Sequence, residues 1–269
     1  MGTQKLTIGC IGAGNMGGAI LEGLVARHVT GPESIRVYDK DGARSRDFAQ
    51  RLGVVSIDSS RVLVEESRIV ILAVKPQDLD GVSGNLKAVL TSEHVVISIL
   101  AGIPLEKLSE KLGREARLVR AMPNLGAKVS QSLTALASSS EEALKDAEVV
   151  FNACGKTLRL EEHFFDLVTA LSGSGPAYFF WLMELMAGMA VSHGMPAETA
   201  RVLAVQTAAG AALLAMESGE EPSELRRKVT SKGGTTEAAL NVLNQAGADK
   251  VIRKAFEAAE ARGRELRGG

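Results

Sequence analysis

The stretch Leu6-Thr7-Ile8-Gly9-Cys10-Ile11-Gly12-Ala13-Gly14-Asn15-Met16-Gly17 decides the fold of this chain. A run with strand character passes into a G-x-G-x-x-G spacing, and the apolar-periodic run 19–25 follows at once. Strand, glycine turn and helix in that order make the first unit of a parallel α/β sheet. The turn offers what a dinucleotide pyrophosphate needs, namely a close backbone approach and the free N–H groups of a helix start. A lone G-x-G-x-x-G also describes a Gly-rich turn without a ligand. Here the strand before it and the helix after it agree with the dinucleotide reading, which makes Ile11, Gly12, Ala13, Gly14, Asn15, Met16 and Gly17 the expected cofactor turn.

Outward from this turn the alternation continues. Strand signals recur at 34–38, 69–74, 95–100 and 117–120, with helical runs at 17–27, 43–52, 77–90 and 104–111. Such alternation predicts a doubly wound, Rossmann-type parallel sheet over residues 1–162, with ligands beyond the carboxyl ends of its strands. The loops there are 12–17, 39–41, 73–76, 101–102 and 122–124. Ala73, Val74, Lys75 and Pro76 form one of them, in which Lys75 fits either a ribose or phosphate anchor or a solvated loop lysine. Asn124 follows Pro123 and fits either a turn or a ligand. Asp39 closes the second strand, where a carboxylate accepts hydrogen bonds from the adenine-ribose hydroxyls of NADH and repels the 2′-phosphate of NADPH. Lys40, Arg44 and Arg46 lie just beyond it and are able to neutralise that phosphate, so the choice between NADPH and NADH stays open.

The character of the chain changes near Glu161. From residue 164 onward there is no convincing strand, only apolar-periodic runs at 176–193, 196–217, 222–229, 236–245 and 249–266. Pro176, Pro196 and Pro222 open three of these, and Gly194, Gly219 and Gly247 lie just past the ends of three, which are normal helix boundaries. An all-helical second domain over residues 163–269 is therefore expected. Residues 176–191 and 202–216 are apolar nearly all round and need cover on every side, more than a domain of about 100 residues supplies. A homodimer built on these helices follows, with the small residues Ala208 to Ala212 permitting close approach or packing within one subunit.

A second polar constellation lies in this helical part. Thr230-Ser231-Lys232-Gly233-Gly234-Thr235-Thr236-Glu237 precedes the apolar run 238–243 and offers glycines, hydroxyls and backbone N–H groups at a helix start. Ser or Thr before a helix usually just caps it. Two adjacent glycines are not required by a cap, and they favour a pocket for a small carboxylate.

Composition excludes several other classes. With 45% hydrophobic residues in 269 the chain is globular, and a net charge of −1 with 4% aromatic residues argues against a nucleic-acid surface. Cys10 and Cys154 lack metal-ligand spacing, no metal is expected, and Cys10 reads as a buried thiol of the first strand. Residues 1–5 run into a strand without a signal-peptide pattern, so a cytoplasmic location is the expectation. The most apolar stretch, 176–191, contains Glu184 and is too short for a comfortable span, so no membrane partner is expected.

Taken together, Gly12-Ala13-Gly14-Asn15-Met16-Gly17, Ala73-Val74-Lys75-Pro76-Gln77, Met122-Pro123-Asn124, Leu171-Ser172-Gly173-Ser174-Gly175-Pro176-Ala177-Tyr178 and Ser231-Lys232-Gly233-Gly234-Thr235-Thr236 resemble pyrroline-5-carboxylate reductase, in the right order over most of the chain. The last two motifs, with the helical second domain, are the specific ones; read alone, residues 172–175 would be a hinge loop between domains. The resemblance implies reduction of 1-pyrroline-5-carboxylate to L-proline by NADPH or NADH, the last step of proline synthesis. It implies dimers through interleaved C-terminal helices, often assembled into rings of dimers. By that likeness the turn 12–17 and the loop 73–76 bind the cofactor. Ser231 with the backbone of Gly233, Gly234, Thr235 and Thr236 holds the substrate carboxylate, and Thr236 faces the imine nitrogen. Two departures stand out: Lys232 where many relatives have proline, and Arg227 where an acidic residue is common. They bear on pocket rigidity and a local ion pair, not on the reaction.

Hydride transfer to a C=N bond requires donor and acceptor carbons roughly 3–3.5 Å apart and aligned, so positioning is the main task of the protein. A threonine hydroxyl is a poor acid at neutral pH, which suits Thr236 to orienting the imine or relaying a proton from water. A β-hydroxyacid dehydrogenase shares the architecture but uses a lysine on a helix of its second domain, and residues 174–216 contain none. A non-catalytic dinucleotide sensor has no use for the Gly233-Gly234-Thr235-Thr236 pocket.

Overall fold

The computed structural model describes residues 6–268. Residues 1–5, read above as leading straight into the first strand, lie outside the described residues. The chain divides into two compact units: one runs through Gly173 and resumes from Ala259, and the other spans Ser174–Ala258.

The first unit is built on eight strands: β1 (Ile8–Ile11), β2 (Ile35–Tyr38), β3 (Val55–Ser56), β4 (Ile69–Leu72), β5 (Val95–Ser98), β6 (Arg117–Met122), β7 (Ser132–Ala137) and β8 (Gly155–Arg159). They form one sheet in the order β3-β2-β1-β4-β5-β6-β7-β8. All neighbours run parallel except β6 and β7, which pair antiparallel with Ala121 opposite Leu136. Between the strands lie α1 (Asn15–Ala26), α2 (Gly42–Leu52), α3 (Ser60–Glu65), α4 (Leu79–Lys87), α5 (Leu105–Leu112) and α6 (Glu141–Phe151), with the short α7 (Phe165–Val168) after β8.

The two-residue period of the strands divides the core into two layers. Ile8, Cys10, Ile69, Ile71, Val95 and Ile97 point to one face, where Ile20 and Leu24 of α1 and Ala147 and Val150 of α6 cover them. Ile11, Val70, Leu72 and Val96 point to the other, against Leu63 of α3, Leu86 of α4 and Leu108 and Leu112 of α5. Every residue of β1, β4 and β5 is buried, the mark of strands covered on both faces. This is the doubly wound sheet expected. The strand order reverses between β1, which leads outward to β2, and β4, which leads to β5; the crevice at their carboxyl ends is where such sheets bind ligands.

The structure adds what periodicity missed. β7 reads Ser-Leu-Thr-Ala-Leu-Ala and β8 Gly-Lys-Thr-Leu-Arg, too small or too polar to stand out. α3 and α6 do carry caps: Ser59 accepts from Val62 N–H at 3.5 Å and Ser140 from Ala143 N–H at 3.2 Å. The strands expected over 69–74 and 95–100 end at Leu72 and Ser98, because the residues beyond leave the ladder to form the crevice loops.

The second unit holds α8 (Gly175–Ser192), α9 (Ala197–Ser218), α10 (Pro222–Lys228), α11 (Thr235–Gln245) and most of α12 (Ala248–Gly268), with no strand among its described residues. The segment 172–175, read alone as a hinge loop, does lie where the two units part, between Gly173 and Ser174, but only Ser174 is non-helical. A π-helical turn spans Thr169–Gly173, Thr169 Oγ1 donates to Phe165 O at 2.7 Å, and α8 begins at Gly175. The final turns of α12 belong to the first unit, where Arg267 pairs with the buried Asp166 at 3.1 Å.

Burial in the helical unit is sparse. Gly175 is the one buried residue of α8, and Ala200 and Ala204 are those of α9. Phe179, Phe180, Trp181 and Met189 on α8, and Leu203, Leu213 and Met216 on α9, are each more than half exposed.

Candidate active site

The glycine turn sits at the crevice between β1 and β4. Gly12 has φ +105°, a conformation that side chains resist, and a Cβ on it would lie 2.5 Å from Ala73 O. Ala73 N–H donates to Ile11 O at 2.8 Å, so the β4 loop is fastened against the turn. A Cβ on Gly17 would lie 2.0 Å from Gly12 O, which makes this glycine the one that lets helix and strand pack. Gly14 is different: a Cβ there would meet nothing within 4 Å. It is the N-cap of α1 and has no side chain to cap the helix, so the first N–H groups of α1 face open space. A glycine kept where the protein itself leaves room fits a pyrophosphate resting on the backbone.

A cavity of about 340 Å³ opens beside the turn, lined among others by Gly12, Gly14, Asp39, Ala73, Val74 and Lys75. A second cleft of about 700 Å³ adjoins it along Ala13, Gly14, Asn15, Lys75 and Lys128. Eight of the residues expected from sequence therefore meet at one place: Gly12, Ala13, Gly14, Asn15, Asp39, Ala73, Val74 and Lys75. Ile11 is fully buried in the strand and Gly17 is buried in α1, so both act by shaping the turn. Met16 and Pro76 border neither cavity; Pro76 opens a single 3₁₀ turn, Pro76–Asp78. Asn124 also stands outside both, its side chain accepting from Gly126 N–H and donating to Ser172 Oγ, each at 2.9 Å.

The sequence reading missed Asp78, Val82 and Lys128 as lining residues. Only packing brings them in, Lys128 because the 3₁₀ turn Leu125–Val129 lies against α1. Beneath the turn the Cys10 thiol is pushed up to about 12 by burial and, secondarily, by the Asp39 carboxylate, and burial pushes Cys154 up to about 11. Neither thiol is a nucleophile at neutral pH.

The second constellation is the start of α11. Its N-cap is Gly234, and the first backbone bond of the helix runs from Ala238 N–H to Gly234 O at 3.1 Å. Thr235, Thr236 and Glu237 are thus the first-turn residues whose N–H groups point out of the helix end. Thr236 is the second helical residue and half-buried, so it is not the cap. Gly233 N–H donates to Glu237 Oε2 at 2.8 Å and Gly234 N–H to Ser231 O at 3.0 Å. The two glycines spend their donors on the loop itself. A Cβ on Gly234 would stand 2.4 Å from Ser231 Oγ, so glycine there lets the serine hydroxyl lie beside the helix end. Arg227, the departure noted in α10, pairs with Glu224 one turn away at 2.5 Å.

Known proteins match both parts of the chain. The family model for pyrroline-5-carboxylate reductase dimerisation matches residues 162–266, and that for NADP oxidoreductases, coenzyme F420-dependent, matches residues 7–102. A pyrroline-5-carboxylate reductase of Methanosarcina acetivorans is 42% identical over 99% of both chains. Among solved structures, the reductase of Coxiella burnetii is 34% identical with a TM-score of 0.92, covering 99% of this chain and 100% of that one. The pyrroline carboxylate reductase of Plasmodium falciparum, solved with NADP bound, is 27% identical with a TM-score of 0.89 over 99% and 100% of the two chains. On this likeness, end to end in sequence and in fold, the chain is an oxidoreductase and belongs to the pyrroline-5-carboxylate reductase family.

Proposed function

We propose that the chain reduces 1-pyrroline-5-carboxylate to L-proline by hydride transfer from NADPH or NADH, the closing step of proline biosynthesis. The observation that carries this reading is the pairing, in one chain, of a glycine turn with room over Gly14 and an uncapped helix start at Thr235. The first suits a pyrophosphate and the second a small carboxylate.

The dinucleotide would be held by Gly14 and Asn15 through backbone N–H groups, over a turn that Gly12 and Ala13 shape with their own N–H groups bonded to β2, by Asp39 on the ribose, and by the Ala73 to Pro76 loop with Lys75. Asn124 and Met16 shape the surroundings of that site. Bound there, the dihydronicotinamide supplies the hydride. The remaining work belongs to the helical unit. Thr235 and Thr236 N–H and the Ser231 hydroxyl bind the substrate carboxylate, with Gly233 and Gly234 forming the loop that presents them. As the imine carbon accepts hydride, the C=N electron pair moves onto nitrogen, which needs a proton. The Thr236 hydroxyl orients that nitrogen and relays the proton from water. Division of labour follows residues 1–162 for the dinucleotide and 163–269 for substrate and dimerisation.

A homodimer completes the reading. The exposed faces of α8 and α9 are too apolar to face water, and the matched dimerisation family covers both helices. By length and composition α9 is also apolar enough to cross a membrane. Pairing with a second copy explains its surface better, because its neighbour α8 is equally bare and carries Glu184. Assembly of dimers into a ring, and a cytoplasmic location, belong to the same proposal.

The test is oxidation of NADPH or NADH by purified protein on addition of 1-pyrroline-5-carboxylate, with a β-hydroxyacid and the oxidised cofactors run alongside. Turnover with the imine alone is expected. A folded sample that binds a cofactor yet turns over neither would sink the enzyme reading, and turnover of the β-hydroxyacid would move the chain to the rival class.

A further inference from the structure

We infer that Asp39 makes NADH, not NADPH, the preferred cofactor. The inference rests on the dinucleotide reading above and goes beyond it: the family model over residues 7–102 is named for NADP oxidoreductases and one relative was solved with NADP bound, so an NADH preference would be this chain's own. Asp39 is not a loose loop carboxylate. Gly12 N–H donates to Tyr38 O at 2.7 Å and Ala13 N–H to Asp39 Oδ2 at 2.7 Å, so the end of β2 is tied twice to the glycine turn. Asp41 N–H donates to Oδ1 at 2.9 Å and fixes the other oxygen. Both oxygens are thus held in place on the wall of the 340 Å³ cavity, and each keeps a lone pair free. A ribose diol brings two O–H donors to such a group. A 2′-phosphate brings only acceptors and negative charge.

Of the three cations able to offset that charge, Lys40 and Arg44 are already paired with carboxylates, and Arg46 lines neither cavity. Lys40 Nζ is shared by both oxygens of Asp78, at 3.0 and 3.1 Å, and Arg44 pairs with Asp41 at 3.4 Å. Recruiting either to a 2′-phosphate strips a carboxylate of its partner beside the same cavity. Lys75 belongs to the loop that abuts Gly12, whose place is at the pyrophosphate. Asp39 itself has hydrogen bonds to N–H groups and no ion pair among the described residues. The residue therefore sets the selectivity, and the basic residues after it do not reverse it.

The experiment is direct titration of the full-length protein with NADH and with NADPH by calorimetry, without substrate, so that binding is read apart from turnover. NADH is expected to bind at least tenfold more tightly at low salt. Because the discrimination is charge repulsion at a partly exposed site, the ratio should shrink as salt rises. Asp39→Ser should bring the two dissociation constants within about threefold of each other, and Asp39→Asn, which keeps the shape and drops the charge, should do most of the same. Loosening of the turn by either variant weakens both cofactors alike and leaves their ratio informative. Equal or tighter binding of NADPH by the unaltered protein overturns the inference while leaving the dinucleotide reading intact. A ratio that neither variant shifts also overturns it. Failure to bind either cofactor overturns both.

Discussion

Gly14 and Gly17 are chemically the same residue in the same turn, yet the space around them assigns opposite duties. A Cβ on Gly17 collides with Gly12 O, so Gly17→Ala should destabilise the protein by about 1–3 kcal/mol through overpacking. Gly14 has an ordinary negative φ and no neighbour within 4 Å, so Gly14→Ala should leave the melting temperature unchanged and weaken cofactor binding by about tenfold, roughly 1.4 kcal/mol. Thermal melts and titrations on the two variants check this; loss of stability in both would make the turn a packing device only. Thr236 admits a similar separation. Since Gly234 is the cap of α11, Thr236→Ala removes no cap, and the fold should hold. If the hydroxyl orients the imine nitrogen, its loss should cost about 1–2 kcal/mol, lowering kcat by roughly 5- to 30-fold with cofactor affinity unchanged. Unaltered kcat per folded molecule would remove Thr236 from the mechanism.

At the scale of elements, α12 ties one part of the chain to another. It starts after Gly247, and its last turns return to the first unit, where Arg267 meets Asp166, 7% exposed in its side chain. Arg267 is itself partly exposed, so the pair is worth less than a buried one. Arg267→Ala should cost about 1 kcal/mol in denaturant melts, with part recovered by Asp166→Asn in the same chain because the unpaired buried charge is then gone. Equal stability of all three proteins would make the contact incidental. This tie illustrates what the sequence hides. The glycine turn, the alternation of strands and helices and the helix start near Thr235 were legible because each is a local pattern: period two, period 3.6, and glycines at fixed offsets. β7 escaped because a strand of Ser, Thr and Ala lacks an apolar signal, and its antiparallel pairing with β6 is a choice of tertiary packing. Lys128 escaped for the same reason, being brought to the crevice by the distant α1, and Asp78 because it stands just past the loop 73–76, at the end of the turn Pro76–Asp78. At 172–175 the place of the boundary was legible but not its conformation: glycine and serine were read as loop formers, whereas Thr169 and the following residues continue the helix through a π turn up to Ser174.

For the molecule as a whole, the bare flanks of α8 and α9 are the surface that the proposed second copy would cover. Light scattering should give an even multiple of the chain mass of 28.3 kDa, two chains for the dimer and more for a ring of dimers, and Trp181→Glu, which sets a charge in the middle of the exposed face of α8, should yield monomers or aggregates. A wild-type monomer would contradict the dimer. The proposed reaction passes a hydride from the dihydronicotinamide to the imine carbon of a substrate that the proposal holds by its carboxylate at α11. Supplying cofactor deuterated on the transferred position of C4, and locating the label in the product by NMR, tests it directly. The expected product is L-proline carrying one deuterium on the δ-carbon, the ring carbon that was the imine carbon, and none on the α-carbon beside the carboxylate. Label on the α-carbon, or unlabelled proline formed while the cofactor is consumed, would contradict it.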